Sequence, residues 1–474
     1  MENIEQKNKI CLINTPELLS VYGKIQKFVP PTAPPLGLLY IAAVLEKEGF
    51  PVNIIDSYAE HYDVHMTVKE VLKFNPDIVG ITATTPTFGN ALRIAQTLKK
   101  VNPHVTIVMG GPHITPTGKI IMKKHECIDI CVKHEGEYTF LELAQNKPKD
   151  SILGIFYRDK EGEIIINADR PLLQNLDELP FPARHLIDLS KYHHVLFSSY
   201  GEPLTEMITA RGCPFRCTFC ASKITNGVGA RFRSVENVMA EVDELISKYG
   251  IKVIEFRDDT LTINPSRFKQ LCEEIKKRNI SFIGNGKVNI ISKFPEMAQQ
   301  AKDAGCKLLM FGCESAEQKI LDAYLKAQTV EDIKTAFKIV NKVGLDTLAF
   351  FILGSPLETY DTAKKTINLA KEINPTFVEF FLLNPHPGTS SEDEAKQIGM
   401  MTNINWEEIN TPQWFNPTIS HPSFTQEELQ KLLKSAYRQF YFRPKYITSL
   451  FLKMNTYNKF KRYTNLARAM LHMT

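Results

Sequence analysis

The chain alternates strand-like and helix-like segments twice over, and that rhythm most narrows the folds open to it. KICLIN (9–14), PVNIID (51–56), DIVGIT (77–82), VTIVMGG (105–111) and IDICVKHEGE (128–137) are short β-branched runs with polar or glycine-containing exits. Between them, LGLLYIAAVLEKEG (36–49) and FGNALRIAQTLKKV (88–101) carry apolar residues at helical spacing, the first with Gly49 as its stop signal. Five such units predict an open, doubly wound, Rossmann-like parallel sheet over residues 1–145. Ligands on these sheets bind beyond the carboxyl ends of the strands. The candidate loops therefore hold Asn14 and Thr15, Asp56, Thr82 to Thr85, Gly110 to His113, and Glu135 to Glu137.

Residues 146–204 change character. GIFYRDKEGEIIINADRP has the pattern of a β-hairpin turned at Glu161-Gly162, and LDELPFPARHLIDLSKY is a proline-punctuated connector, so this stretch is expected to be a hairpin and linker. The β/α rhythm resumes over 205–385, with strands expected at EMITA, VIEFRD, FIGNGKV, KLLMFGCE, TLAFFILGSP and FVEFFLL. Six units imply a partial (β/α)6 TIM barrel working at its C-terminal strand ends. Residues 386–474 form a helical, basic extension: beyond Glu428 there is no acidic residue but ten Lys and Arg, interleaved with aromatics. The simplest expectation for that tail is a helical pair packed on the barrel. Peripheral membrane contact is the second, and nucleic acid is not expected, because no binding module accompanies it.

Composition excludes several classes. No apolar run reaches the roughly 18 residues needed to cross a bilayer, and the polar start MENIEQKNKI lacks a secretory apolar core. Nine cysteines, an odd number, argue against a disulfide framework and for a reducing cytoplasm.

Three of those cysteines lie together in CPFRCTFC, as Cys213, Cys217 and Cys220. A structural zinc site wants four ligands, commonly as two separated pairs, and no fourth Cys or His follows at ligand spacing. Three thiolates on a cubane iron–sulfur cluster would leave one iron open to a substrate or cofactor. The other cysteines read as small core residues.

CPFRCTFC, with Phe219 before its last cysteine, resembles the signature of the radical S-adenosylmethionine (SAM) superfamily. FRDDTLT (256–262), GCES (312–315) and FILGSPLET (351–359) resemble further segments of that superfamily. The resemblance implies a [4Fe–4S] cluster on Cys213, Cys217 and Cys220, and SAM contacts at Phe219, Asp258, Glu314, Ser315 and Gly354. Asp258, Asp259, Glu314 and Ser315 are equally readable as loop caps. The chemistry implied is reductive cleavage of SAM to a 5′-deoxyadenosyl radical that takes a hydrogen atom from substrate, with electrons from an external donor such as flavodoxin or ferredoxin.

A doubly wound domain ahead of such a barrel, joined through LDELPFPAR, resembles the cobalamin-dependent (class B) radical SAM family over residues 9–390. Cobalamin contacts are implied at Asn14, Thr15, Thr82, Thr84, Gly110, Gly111, His113, Glu135 and Gly136. A domain that binds nothing is the plain alternative. The first exit, NTPELLS, lacks the Asp-x-His-x-x-Gly of proteins that place a histidine on cobalt, so cobalamin is expected without a protein histidine ligand. Methylation of an unactivated carbon is the leading expectation, and a cyclase or rearrangement reaction the second. A tRNA methylthiotransferase or a non-catalytic sensor accounts for fewer of these features. Family relatives acting on hopanoids and tetrapyrroles suggest a small-molecule substrate that is hydrophobic or large and planar. Phe197, Tyr200, Asn285, Lys287 and NPHPGT (384–389) are the candidates to face it, with Lys287 and His386 equally readable as surface or loop residues.

Overall fold

The computed structural model describes residues 7–16, 33–194, 197, 200–402, 405–408 and 418–453, without the side chains of 449–453. The first unit runs β1 (Ile10–Asn14), α1 (Leu36–Lys47), β2 (Val52–Asp56), α2 (Val64–Phe74), β3 (Ile78–Thr82) and α3 (Phe88–Val101). It continues with β4 (Thr106–Gly110), α4 (Ile114–Lys124), β5 (Ile130–Val132), α5 (Glu137–Ala144), β6 (Ile155–Arg158) and β7 (Ile164–Ile166). The sheet order is β2-β1-β3-β4-β5-β6-β7, parallel through β5 and antiparallel beyond. Strand order reverses between β1 and β3, and the crevice at such a reversal is where doubly wound sheets bind ligands. The hairpin expected to be part of the connector is instead the edge of this sheet: Ile130 pairs with Tyr157, and Phe156 with Ile166. The sheet of the first unit therefore runs on through residue 166, because β6 covers what would otherwise be the bare edge of β5.

The second unit contains β8 (Leu204–Met207), β9 (Ala210–Arg211), α6 (Ser222–Thr225), β10 (Arg231–Phe232), α7 (Val235–Tyr249) and β11 (Val253–Phe256). Then come α8 (Pro265–Arg278), β12 (Ser281–Gly286), α9 (Val288–Lys293), α10 (Glu296–Asp303), β13 (Cys306–Glu314), α11 (Gln318–Ala323) and α12 (Val330–Val343). β14 (Asp346–Leu353), α13 (Tyr360–Ile373) and β15 (Phe377–Leu382) complete it. Six parallel strands in the order β15-β14-β13-β12-β11-β8 make the partial barrel. Its helices start and stop on side-chain signals. The Ser234 hydroxyl accepts the Asn237 N–H at the head of α7, and Gly250, at φ +64°, ends it.

Inward positions alternate along the strands. Leu204, Val253, Ile283, Leu308, Leu348 and Phe377 fill the lower barrel together with Phe197, and Tyr200 packs against them. Phe197 and Tyr200 thus plug the barrel rather than line an open substrate site.

The extension holds α14 (Ser390–Gln397), α15 (Gln426–Tyr441) and α16 (Pro444–Lys453). Its tyrosines close the open edge of β15. The Tyr441 hydroxyl accepts from Val378 N (3.0 Å) and donates to Val378 O (2.7 Å), and Tyr437 does the same at Phe380 (3.2 and 3.1 Å). Tyr446 donates to Thr376 O at 2.8 Å. The tyrosines of α15 and α16 thus match alternate residues of an edge strand, and packing on the barrel accounts for Tyr437, Phe440, Tyr441 and Tyr446, while Phe442 is exposed. Residues 454–474, on which the membrane expectation mainly falls, lie outside the described residues. Among the described residues no helix is long and apolar enough to cross a membrane.

Candidate active site

The cysteine loop leaves β8 through Thr209 and the two-residue β9, whose Arg211 pairs with Arg231 of β10. Gly212 stands at φ +85°, and a Cβ there would strike the Gly229 carbonyl, so the sharp entry to Cys213 needs glycine. Gly229 N donates to Cys213 O (3.2 Å), which ties the start of the loop to its far end, and Cys220 N donates to Cys217 O (3.1 Å), which puts those two cysteines in one turn. Ser222 N points at Cys220 Sγ at 3.5 Å. Burial pushes the Cys217 and Cys220 thiols up, and Lys326, joined at Cys217 by Lys287, works against it. Thiols, a backbone N–H and two ammonium groups suit the negative charge of a thiolate-bound cluster. Among the described residues no three of His, Cys, Asp and Glu converge as they would on a single ion. A cubane attaches each thiolate to a different iron, so that spacing is no argument against it.

The residues expected around SAM do not behave alike. Glu314, at the end of β13, is held at φ +63° with its carboxylate 2.5 Å from Lys326 Nζ. Lys287, from the end of β12, donates to Lys326 O (2.6 Å) and lies 3.9 Å over the Phe215 ring. Burial and the neighbouring Lys326 pull its ammonium down to about 8. Ser315 is fully buried and accepts Glu317 N at 3.1 Å. Phe219 meets Tyr324 edge-on at 5.0 Å. Gly354 turns at φ +84° above Leu429, and its N–H donates to Glu358. Asp258 has a different place: its carboxylate accepts from Thr209 N (2.6 Å), Thr209 Oγ1 (2.5 Å) and Ala210 N (3.1 Å). Those three donors occupy it, so Asp258 braces the cysteine loop from below. Asp259 beside it accepts Ser222 Oγ at 2.7 Å.

The first unit opens at its strand reversal into a cavity of about 470 Å3. Asn14, Thr82, Thr84, Gly110, Gly111, Glu135 and Gly136 all line it, as expected. Two expected residues do not. Thr15 is buried and donates to Thr82 O at 3.3 Å. His113 turns away: its Nδ1 lies 3.1 Å from Thr85 Oγ1, and its ring is 4.6 Å from Phe88. Burial, with His386 nearby, drives the His113 ring down to about 4. Both residues support the loops behind the wall. The wall itself suits a large ligand, since a Cβ at Gly37 would meet nothing within 4 Å and one at Gly110 nothing closer than 3.8 Å.

Several lining residues had weaker sequence signals. Gly80, in mid-strand, keeps the wall thin, because a Cβ there would press on Leu12 and Phe140 at 2.7 Å. His134 lines the cavity too, with its Nδ1 2.7 Å from Ile224 O. Arg257 reaches the cavity from the barrel and ties down Glu255 at 2.9 Å. Glu206 is the register partner of Glu255, and burial pushes both carboxyls up. A charged residue inside each of the fully buried strands LTEM and VIEF was the available signal.

Comparison with known proteins agrees with this geometry. A B12 binding domain model matches residues 28–144, and a Radical SAM superfamily model matches residues 207–370. The "Uncharacterized methyltransferase PH0819" of Pyrococcus horikoshii is 38% identical over 443 residues, spanning 92% of this chain and 93% of that one. The anaerobic magnesium-protoporphyrin IX monomethyl ester cyclase of Rubrivivax gelatinosus is 27% identical over 435 residues, spanning 89% and 76%. Among solved structures, the radical SAM methyltransferase TsrM from Kitasatospora setae, with cobalamin and a [4Fe–4S] cluster bound, superposes with a TM-score of 0.70. It is 18% identical, with 93% of this chain and 90% of that one covered, and so speaks for the fold. With a B12 binding domain model and a radical SAM model matched in that order, and a relative 38% identical over 93% of its own length, the chain belongs to the cobalamin-dependent (class B) radical SAM family.

Proposed function

We propose that this protein uses a [4Fe–4S] cluster, SAM and cobalamin to methylate an unactivated carbon of a small-molecule substrate. One observation carries the reading: the cavity of the first unit is closed by residues on both sides of the cysteine loop. Ile208, Ala210 and Arg211 precede Cys213, and Thr225 and Asn226 follow Cys220. The cavity thus abuts the stretches that flank the cluster loop, which supports a reading in which the two cofactors work side by side.

When bound, the cluster and SAM supply a hydrogen-abstracting radical and cobalamin a transferable methyl group. The chain's part is to hold, orient and exclude water. Cys213, Cys217 and Cys220 hold the cluster. Glu314 and Lys326 offer an ion pair to the amino acid end of SAM, with Phe219 and the Gly354 turn beside it, and Ser315 braces the end of β13 from behind. Asn14, Thr82, Thr84, Gly110, Gly111 and Gly136 hold cobalamin. In this reading cobalamin is held without a histidine on cobalt: His113 faces Thr85, and His134 is engaged at both ring nitrogens, Nδ1 by Ile224 O and Nε2 at 3.8 Å from the Asp169 carboxylate. The protein is placed in the cytoplasm, fed by an electron donor of the flavodoxin or ferredoxin kind.

Cyclisation is the second reading, favoured by the cyclase relative. A product assay separates the two. Anaerobically reconstituted protein is given SAM and a strong reductant, and both 5′-deoxyadenosine and S-adenosylhomocysteine are quantified. Methyl transfer predicts both products, the second at least matching the bound cobalamin. 5′-Deoxyadenosine without S-adenosylhomocysteine would favour cyclisation or rearrangement.

A further inference from the structure

The turn His134-Glu135-Gly136-Glu137 joins β5 to α5 at the cavity rim, yet its two carboxylates point into the other domain. Glu135 Oε1 accepts from Arg211 Nη1 (2.9 Å) and Arg231 Nη1 (2.8 Å), and its Oε2 from Leu173 N (2.8 Å). Glu137 Oε1 accepts from Arg211 Nη2 at 2.6 Å. Arg231 reaches on to Leu173 O (2.6 Å) and Asn226 O (3.1 Å). Arg211 lies 5.2 Å over the Tyr40 ring of α1. The four charged side chains are only 6–12% exposed. In the same turn His134 takes φ +56° and engages Ile224 O at 2.7 Å.

One four-residue turn of the B12 domain thus holds the cysteine loop at both ends. Arg211 lies two residues before Cys213, and Ile224 and Asn226 follow Cys220. A buried ion network is a poor source of stability, since desolvation offsets most of the attraction, but planar guanidinium–carboxylate pairs fix distance and orientation well. Burial alone would raise the Glu135 carboxyl; Arg211 and Arg231 hold it below its ordinary range, so it stays charged.

We infer that Glu135, Glu137, Arg211 and Arg231 form a positioning clamp that sets the spacing between the cobalamin cavity and the cluster loop. The inference rests on the cofactor assignment above and adds a role to it. A radical made at one cofactor must be met by a methyl group held on the other, and a misplacement of about 1 Å costs on the order of 100-fold in rate. Glu135 is then a spacer between sites rather than a cobalamin contact.

The test reads spacing directly. With cobalt in its paramagnetic divalent form and the cluster reduced, the cluster speeds relaxation of the cobalt electron-spin signal steeply with proximity. Arg231, which lies off the cavity wall, is changed to Met and to Lys, and Glu135 to Gln. Iron and cobalamin content are measured on each sample. Arg231→Met should retain both cofactors and lose the relaxation enhancement, and Arg231→Lys should recover part of it. Enhancement equal to wild type in Arg231→Met would overturn the clamp. So would loss of cobalamin confined to Glu135→Gln, which would make Glu135 a cofactor contact. If the wild type retains no cobalamin, the functional reading fails and the clamp is judged by amide exchange. Residues 134–137 and 224–229 should then lose protection together in Arg231→Met, and unchanged exchange would refute it.

Discussion

At Cys217, burial and two lysines act in opposite directions on one thiol. Replacing Cys213, Cys217 or Cys220 singly with Ser should reduce bound iron from about four per chain to a trace and remove the cluster's visible absorbance. The same change at Cys272, buried in the barrel core, should leave iron content intact. Glu358 gives a prediction of a different kind. Burial lifts its carboxyl to about 8, while the Gly354 N–H holds one oxygen and the other has no partner. A carboxyl raised in the fold is protonated there and ionised in the unfolded chain. The fold therefore loses stability as pH rises from about 4.3 through about 8. Glu358→Gln should remove that slope, so thermal unfolding at pH 9 should find the variant more stable than wild type; equal loss at pH 6 and pH 9 would contradict it. The cluster residues were legible because three thiols at that spacing, with no fourth ligand near, suit an iron–sulfur cubane better than a closed zinc site. Asp258 was not, since a carboxylate at a strand exit looks the same in sequence whether it meets a ligand or, as here, Thr209 and Ala210.

At the scale of elements, the tyrosine-bearing face of α15 replaces a missing strand. Tyr441→Phe leaves a buried N–H and a buried C=O of Val378 unpaired, which should cost about 2–3 kcal/mol in urea unfolding. A loss below about 0.5 kcal/mol would show that water or a backbone shift can replace the hydroxyl. The cavity wall offers an element-level test as well: Gly110→Leu, at the end of β4, should fill open space and abolish cobalamin retention while the cluster still forms. The strands themselves were readable from their β-branched runs and glycine exits, and most helices from their 3.6-residue period. The hairpin β6–β7 was recognisable as a hairpin but not as part of the first sheet, because pairing with β5 is a long-range choice that local pattern does not carry. For the same reason the tyrosines of the basic tail could be seen as amphipathic without revealing that they face β15.

At the scale of the molecule, the doubly wound unit and the partial barrel meet so that one cavity touches strand exits of both. Their order along the chain was legible from the two β/α series. Their apposition was not, since it depends on contacts such as Glu135 with Arg211 and Arg231 between residues far apart in sequence. The central claim is that one chain holds both cofactors, with the cobalamin cavity beside the cluster loop. It is tested most directly by reconstituting the protein anaerobically with iron, sulfide and cobalamin, then counting both metals and assaying 5′-deoxyadenosine after adding SAM and reductant. The account predicts about four irons and one retained cobalamin per chain, together with 5′-deoxyadenosine. A cluster that cleaves SAM in protein that keeps no cobalamin would contradict it.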